Sequence, residues 1–171
     1  MAQDRPIVVL IGAPGSGKTK VGKRVARALG TAFVDTDRMI VAKHGPIADI
    51  FDQHGEPRFR ELERIEVAEA LQRNAVVSLG GGAILDARTR QELGGCRVAL
   101  LTVTAEAVAS RIGGAKRPLL RGGLADWQRL VEQRRPIYEQ LAGRSWDTSE
   151  APLDEVAAEI ARWIEEDGAA K

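Results

Sequence analysis

The chain has 171 residues, of which 44% are hydrophobic, a size that suits one compact domain with a substantial core. Its 25 basic and 24 acidic residues nearly balance, at a formal net charge of +1, so we expect no nucleic-acid partner. No run approaches the roughly 20 apolar residues of a membrane span, and Cys96 as the only cysteine excludes an internal disulfide. We therefore expect a cytoplasmic monomer with no signal peptide and no membrane partner.

The stretch from Gly12 to Thr19 fits the phosphate-binding pattern G-x-x-x-x-G-K-[ST]. A short apolar run ends just before it, and an amphipathic helical pattern follows it as far as Gly30, which suits a C-terminal cap. The pattern requires this context of strand, loop and helix, because the loop N–H groups and the helix N-terminus then face phosphate oxygens. We predict a nucleoside triphosphate site, with Lys18 on the β- and γ-phosphates and the Thr19 hydroxyl on Mg²⁺.

A second strand is predicted over residues 31–34, and two aspartates follow it, Asp35 and Asp37. Acidic side chains at the carboxyl end of a strand lie where open α/β sheets bind ligands. Asp35 is placed to orient the Mg²⁺ shell. Asp37 could face an acceptor hydroxyl or cap a helix that begins near Arg38. This segment alone does not decide between the two roles, and both can hold at once.

Helical patterns cover residues 47–51 and about 56–72, with a break at Gly55 between them. Arg60 and Glu63 of the longer helix have two possible roles. They form either a solvated ion-pair ladder, which the spacing favours, or a fork for a substrate carboxylate in which Glu63 orients Arg60. The buried face of this helix is expected to carry Phe59, Leu62, Ile65 and Leu71.

Two glycine-rich stretches follow later elements of the pattern. Residues 80–82, at the end of a strand predicted over residues 74–79, are all glycine and would let a ligand approach the backbone closely, although a flexible turn has the same composition. Residues 112–124 place three basic side chains between paired glycines. That arrangement suits a mobile lid that brings positive charge to a phosphate, or else an exposed loop.

The helix predicted over residues 126–141 carries two adjacent arginines. Arg134 falls on the same stripe as Trp127 and Tyr138, whereas Arg135 lies one step round the helix. We therefore expect Arg134 to point into the fold, where a charge needs a partner, and Arg135 to meet solvent.

Strands and helices alternate along the whole chain, which includes a further strand over residues 97–103. A short strand over residues 145–147 and a closing helix opened by Pro152 complete the series. The alternation predicts an α/β fold with one domain over residues 1–171. Its sheet should be parallel and doubly wound, with about five strands and helices on both faces.

These features together resemble the shikimate kinase family over essentially the full length of the chain. That resemblance implies a P-loop kinase that uses ATP and Mg²⁺ to phosphorylate the 3-hydroxyl of shikimate, with residues 36–72 as a substrate-binding helical segment and residues 112–124 as the lid. Besides the phosphate loop, it rests on Asp35-Thr36-Asp37, Gly55-Glu56-Pro57-Arg58-Phe59-Arg60, Gly80-Gly81-Gly82, Arg117-Pro118-Leu119-Leu120 and Arg134-Arg135-Pro136-Ile137-Tyr138.

The same resemblance implies roles for individual residues. Asp37 would bind the shikimate hydroxyls as the candidate base, which favours function over capping, and the catalytic set would be Lys18, Asp37 and Arg117. The shikimate carboxylate would be bound by Arg60 and Arg134, beside a backbone donor from Gly81. Nucleotide binding would fall to Gly15, Ser16, Gly17, Lys18, Thr19, Lys20, Arg111, Arg117 and Pro152, and metal binding to Thr19 and Asp35.

Two departures from the family pattern leave the catalytic residues untouched. Val41 stands where many members have Glu, and residues 149–151 lack arginines that some members carry near the nucleotide. A gluconate kinase of the same P-loop group would explain the loop and the lid but not the paired arginines. A nucleotide-binding module that catalyses no reaction needs no acceptor pocket, and would therefore not explain Asp37, Arg60 and Arg134.

Overall fold

The structure is a computed structural model that describes residues 4–111 and 122–170. Its strands are β1 (Val8–Gly12), β2 (Phe33–Asp35), β3 (Val76–Ser78), β4 (Val98–Thr102) and β5 (Arg144–Asp147). A 3₁₀ turn, Ala83–Leu85, follows the three glycines. The α-helices in the described ranges are α1 (Lys18–Leu29), α2 (Thr36–His44), α3 (Ile47–Ala70), α4 (Ala87–Leu93), α5 (Ala105–Arg111), α6 (Leu124–Leu141) and α7 (Leu153–Ala169).

The first strand lies at the centre of the sheet. The strand order is β2-β3-β1-β4-β5, and every neighbouring pair is parallel. Leu10 of β1 lies opposite Ser78 of β3 on one side and Ala99 of β4 on the other. Because the chain winds to one side of β1 and then crosses to the other, the loop after β1 lies at a switch point where such sheets bind ligands. The predicted five-stranded parallel α/β fold is confirmed.

Alternate residues of β1 face two separate cores, one on each side of the sheet. Val9 and Ile11 pack with residues of α3, α4 and α6. Val8 and Leu10 pack with residues of α1 and α7. A parallel strand covered on both faces reads as a continuous apolar run, which is how β1 appears in the sequence. Helices on both faces of the sheet are therefore confirmed.

Three of the four residues predicted for the inward face of the long helix are buried: Phe59, Leu62 and Leu71. The backbone of α3 bends at Gly55, where φ is 79°, as the break in the pattern indicated. The prediction that Ile65 is buried is wrong, since this residue is 59% exposed. The inward positions next to it hold two carboxylates instead, Glu63 and Glu66, at 3% and 1% exposure. A hydrophobic pattern misses these two positions because acidic side chains count as polar even where basic partners satisfy them.

The N-cap of α2 is Asp35, two residues before Asp37, the alternative cap considered from the sequence. Its Oδ1 accepts a hydrogen bond from the backbone N–H of Arg38 at 3.2 Å. The capping role of Asp37 is therefore wrong, because helix α2 already begins at Thr36 and Asp37 lies inside its first turn. A cap must have non-helical backbone angles, and Asp35 is extended with φ −117° and ψ 119°.

Two other expectations concern the lid and the closing helix. Residues 112–121 of the predicted lid, Arg117 among them, lie outside the described residues. Pro152 occupies the N-cap position of α7, immediately before the first helical residue. None of the helices in residues 4–111 and 122–170 is long and apolar enough to cross a membrane.

Candidate active site

The loop after β1 curls around the side chain of Lys18. Gly15 and Gly17 have φ values of 84° and 88°, in the left-handed region that residues with a Cβ avoid. Lys18 is the first residue of α1 and is 8% exposed. Its Nζ donates hydrogen bonds to the carbonyl oxygens of Gly12 at 2.7 Å and Ala13 at 3.0 Å. The loop therefore holds an ammonium group at the N-terminus of a helix, where anions bind.

Two side chains from distant parts of the chain fasten this loop. The indole Nε1 of Trp127 in α6 donates to the Pro14 carbonyl at 2.8 Å. The hydroxyl of Thr148, which follows β5, donates to the Ser16 carbonyl at 2.8 Å. Neither contact was predicted, and the only sequence signal was the inward position of Trp127 on its helix.

The hydroxyl of Thr19 and the carboxylate of Asp35 meet at one point. The Thr19 hydroxyl donates to Asp35 Oδ2 at 2.8 Å, so the first turn of α1 contacts the end of β2. Hydroxyl and carboxylate oxygens are ligands that Mg²⁺ prefers, and Mg²⁺ typically takes only one or two of them from a protein. Groups of three or more His, Cys, Asp or Glu that could hold a metal do not occur in the described residues. The two residues predicted as metal ligands therefore suit Mg²⁺ chemically.

One cleft joins the phosphate loop to both aspartates. Its volume is about 300 Å³. Arg111 stands at its rim, where Nη2 donates to the Thr148 carbonyl at 2.6 Å and Nη1 to the Gly15 carbonyl at 3.1 Å. Pro152 is exposed and does not line the cleft, although the next residue, Leu153, does. The lining residues predicted from the sequence are Gly15, Gly17, Lys18, Thr19, Lys20, Asp35, Asp37, Gly81 and Arg111.

Two carboxylates crowd the backbone of Gly80, at the end of β3. A Cβ added to Gly80 would lie 2.6 Å from Asp37 Oδ1 and 3.0 Å from Glu63 Oε2, so a residue with a side chain would displace these carboxylates. Burial raises the pKa of Glu63, and the nearby Asp37 raises it further, whereas Arg60 opposes the shift. Arg60 donates from Nη1 to Glu63 Oε1 at 2.8 Å. The interpretation of Arg60 and Glu63 as a solvated ladder is therefore wrong, because this carboxylate is buried.

Two guanidinium groups reach the glycines that follow. A Cβ added to Gly82 would lie 2.4 Å and 2.5 Å from the Nη atoms of Arg60, and one added to Gly81 would lie 3.4 Å from Arg134 Nη1. Burial lowers the pKa of Arg134, and the charge of Arg60 lowers it further. Two N–H groups, at Arg134 Nη1 and Arg60 Nε, are buried without a hydrogen-bond partner in the described residues. Buried donors of this kind need a hydrogen-bond acceptor, and an anion suits two adjacent guanidinium groups.

Two hydroxyl groups position the glycine backbone beside these arginines. The Tyr138 hydroxyl donates to the Gly81 carbonyl at 2.6 Å. The Thr36 hydroxyl accepts a hydrogen bond from the Gly80 N–H at 3.2 Å. Sequence reasoning missed both contacts, and it placed Tyr138 only as a core residue on the stripe of Arg134.

The structure thus assembles most of the predicted site residues at the carboxyl edge of the sheet. Ser16 is fully buried inside the loop, and Pro152 lies apart from the cleft lining. The remaining catalytic candidate, Arg117, falls outside the described residues. The roles of all these residues stay predictions.

Comparisons with known proteins cover nearly the whole chain. Residues 14–165 match the family model described as shikimate kinase. The chain is 43% identical over 167 residues to the shikimate kinase of Corynebacterium efficiens, which covers 95% of this chain and 99% of that one. It is 47% identical over 162 residues to the shikimate kinase of Thermobifida fusca, at 92% and 94% coverage.

Solved structures agree with these sequence matches. The shikimate kinase from Acinetobacter baumannii in complex with shikimate superposes with a TM-score of 0.90 at 32% identity, over 96% of this chain and 94% of that one. A gluconokinase from Sinorhizobium meliloti reaches only 0.62 at 23% identity, over 93% and 91% of the two chains, which shows a shared fold alone. Since the family model and close relatives agree over almost its full length, this chain belongs to the shikimate kinase family.

Proposed function

We propose that this chain transfers the γ-phosphoryl group of ATP to the 3-hydroxyl of shikimate, giving shikimate 3-phosphate and ADP. One observation carries the choice of acceptor. Arg60 and Arg134 converge on the triple glycine, and each has a buried N–H group with no partner among the described residues. A guanidinium binds a carboxylate through two parallel hydrogen bonds, so this pair suits an anionic acid such as shikimate. Gly81 would add a backbone donor.

The phosphate loop would bind ATP. The backbone N–H groups of Gly15, Ser16 and Gly17 would contact phosphate oxygens at the start of α1. Lys18 would exchange its two carbonyl partners, Gly12 and Ala13, for the β- and γ-phosphates, because an anion competes well for a buried ammonium group. Toward the rim, the nucleotide would contact Lys20, Arg111 and Pro152.

Thr19 and Asp35 would hold Mg²⁺, since both offer oxygen ligands and already contact each other. Magnesium held by these two residues would neutralise negative charge on the phosphates. Thr19 is fixed by the first turn of α1 and Asp35 by its capping bond to Arg38, so neither side chain needs a large rearrangement to act as a ligand.

Asp37 would accept the proton of the shikimate 3-hydroxyl while the oxygen of that hydroxyl attacks the γ-phosphorus of ATP. Its carboxylate lies against Gly80, close to the cleft that holds the phosphate loop. Positioning and charge neutralisation dominate phosphoryl transfer, so the base needs correct placement more than a strongly shifted pKa. Arg117, by its place in the family pattern, would bring a further positive charge to the transferring group.

We also propose that the protein acts as a monomer in the cytoplasm. None of the contacts proposed for ATP, Mg²⁺ or shikimate requires a residue from a second copy. Light scattering after size-exclusion chromatography would test this, and a mass above that of one chain would contradict it.

An ADP-release assay tests the proposed reaction. Purified protein receives MgATP with shikimate, with gluconate or with no acceptor, and a parallel series contains EDTA. We expect shikimate alone to stimulate ADP release strongly, EDTA to abolish it, and mass spectrometry to detect one added phosphoryl group on shikimate. Stronger stimulation by gluconate, or equal ADP release with no acceptor, would contradict the proposal.

A further inference from the structure

Tyr138 is a buried residue of α6 whose hydroxyl lies between two groups of the acceptor site. The side chain is nearly inaccessible, at 4% exposure. Its hydroxyl donates a 2.6 Å hydrogen bond to the carbonyl oxygen of Gly81, and its oxygen interacts electrostatically with the guanidinium of Arg134. A phenol contributes one donor and accepts through its oxygen, so both contacts can exist together.

The first contact fixes the peptide between Gly81 and Gly82. Glycine backbones are flexible, and three in succession would otherwise leave this turn poorly defined. The described residues contain no cis peptide bond, so the N–H of Gly82 points to the opposite side of this peptide from the carbonyl that Tyr138 holds. The phenol thereby sets the direction of a backbone donor beside Arg60, which packs on Gly82.

The second contact restrains Arg134. Tyr138 follows Arg134 by four residues, so the two side chains lie on the same face of α6. Arg134 Nη1 keeps no partner in the described residues, although a carbon added to Gly81 would lie only 3.4 Å from it. The phenol oxygen therefore restrains the guanidinium electrostatically, while Nη1 remains available for an anion.

We propose that Tyr138 is a positioning residue of the acceptor site, which holds Arg134 and the Gly81–Gly82 peptide in the orientation that binds the acceptor carboxylate. The proposal rests on the proposed function and adds a residue that does not itself touch the acceptor. Acceptor affinity should depend on this hydroxyl, whereas nucleotide affinity should not.

Tyr138→Phe tests this, because it removes the hydroxyl and keeps the ring. Calorimetric titration should show shikimate binding weakened about tenfold, near the upper end of what the loss of one buried hydrogen bond costs. The KM for shikimate should rise in step, while kcat and the affinity for MgATP change little. An unchanged shikimate affinity in a variant that merely melts earlier would overturn the proposal, since a structural role lowers stability alone.

Thr89→Val is the matched control. Thr89 is also fully buried, and its hydroxyl accepts from Nη1 of another arginine, Arg64, at 3.0 Å. That arginine pairs with Glu92 and takes no part in the proposed acceptor site. Thr89→Val should lower the melting temperature and leave shikimate affinity unchanged. An equal loss of shikimate affinity in both variants would mean that removing any buried hydroxyl weakens binding. That result would contradict a specific role for Tyr138.

A double mutant separates the two contacts. In an Arg134→Ala background, Tyr138→Phe should weaken shikimate binding far less than tenfold, because the guanidinium that it positions is gone. An undiminished tenfold effect would overturn the role assigned through Arg134. If the parent protein binds no shikimate at all, both this inference and the proposed function fail. If the parent binds shikimate and Tyr138→Phe binds it with the same affinity, only this inference fails.

Discussion

Arg134 is 5% exposed, whereas Arg135, the next residue of α6, lies at the surface and pairs with Glu132 Oε1 at 2.8 Å. One step along a helix turns a side chain by about 100°, so adjacent residues can meet entirely different surroundings. The predicted burial of Arg134 and exposure of Arg135 are confirmed. The two residues therefore form a natural pair for testing the carboxylate site.

Replacing these two arginines by alanine should affect shikimate binding to very different extents. Arg134→Ala should weaken shikimate binding by about 2–5 kcal/mol, because a desolvated partner of a carboxylate is lost. Arg135→Ala should change it by less than about 0.5 kcal/mol, since solvent already screens that charge. Calorimetric titration of shikimate into both variants measures the difference, after melting curves establish that each is folded. The reverse ranking would contradict the assigned acceptor site.

Asp37→Asn should remove most turnover and leave MgATP binding nearly intact. Loss of a general base typically costs about 10²–10⁴-fold in rate, and the amide keeps the size of the carboxylate. The helix should remain intact, because its cap is Asp35 rather than Asp37. Single-turnover ADP formation measures the rate, and nucleotide titration measures binding. Near wild-type turnover would exclude Asp37 as the base.

Glu63→Gln should change how stability depends on pH. Burial raises the folded-state pKa of Glu63 above its model value of 4.5. Its stabilising contribution is therefore complete below pH 4.5 and is lost as the pH rises through the raised folded-state pKa. Relative to Glu63→Gln, the parent should lose unfolding free energy as the pH rises from 4.5 through the raised folded-state pKa of Glu63.

Urea unfolding of both proteins at several pH values in this range measures that difference. Glu61→Gln is the matched control, because it removes an exposed carboxylate of the same helix, which pairs with Arg58. A parent that gains stability over Glu63→Gln as the pH rises would contradict the prediction. That result would mean that the ion pair with Arg60 outweighs burial.

Trp127→Phe should weaken nucleotide binding. The substitution leaves the Pro14 carbonyl without the indole N–H that holds it at 2.8 Å, and a loosened loop binds phosphate less well. The expected loss is about 1 kcal/mol, or roughly fivefold in affinity. Trp163→Phe is the control, because that indole packs on the opposite face of the sheet. If Trp127→Phe lowers the stability of the protein but leaves its nucleotide affinity unchanged, Trp127 has only a packing role.

Arg117→Ala should lower kcat far more than it weakens ATP binding in the absence of shikimate. A charge that a lid contributes after closure acts mainly on the transition state, and related phosphoryl transfers gain about 10³-fold or more from such a charge. Steady-state kinetics with both substrates measures the effect. An unchanged kcat with a raised KM for ATP would assign Arg117 to ground-state nucleotide binding instead.

The amino-acid sequence by itself determined the features that depend on local pattern. The phosphate loop, the alternation of strands and helices and the inward position of Arg134 all follow from spacing within about ten residues. Local spacing is informative because a helix and a strand each repeat their faces at a constant period. Gly55 likewise marked the bend in α3, since a glycine with positive φ interrupts a helix.

Only the tertiary structure decided which polar side chains are buried and what they contact. Glu63 and Ile65 exchanged their predicted environments because Arg60 stabilises the buried carboxylate, and a period of 3.6 residues carries no information about such pairing. The bond from Trp127 to Pro14 spans 113 positions and the bond from Tyr138 to Gly81 spans 57. Contacts over such separations depend on how strands order themselves in the sheet and how helices pack on it, which no local pattern encodes.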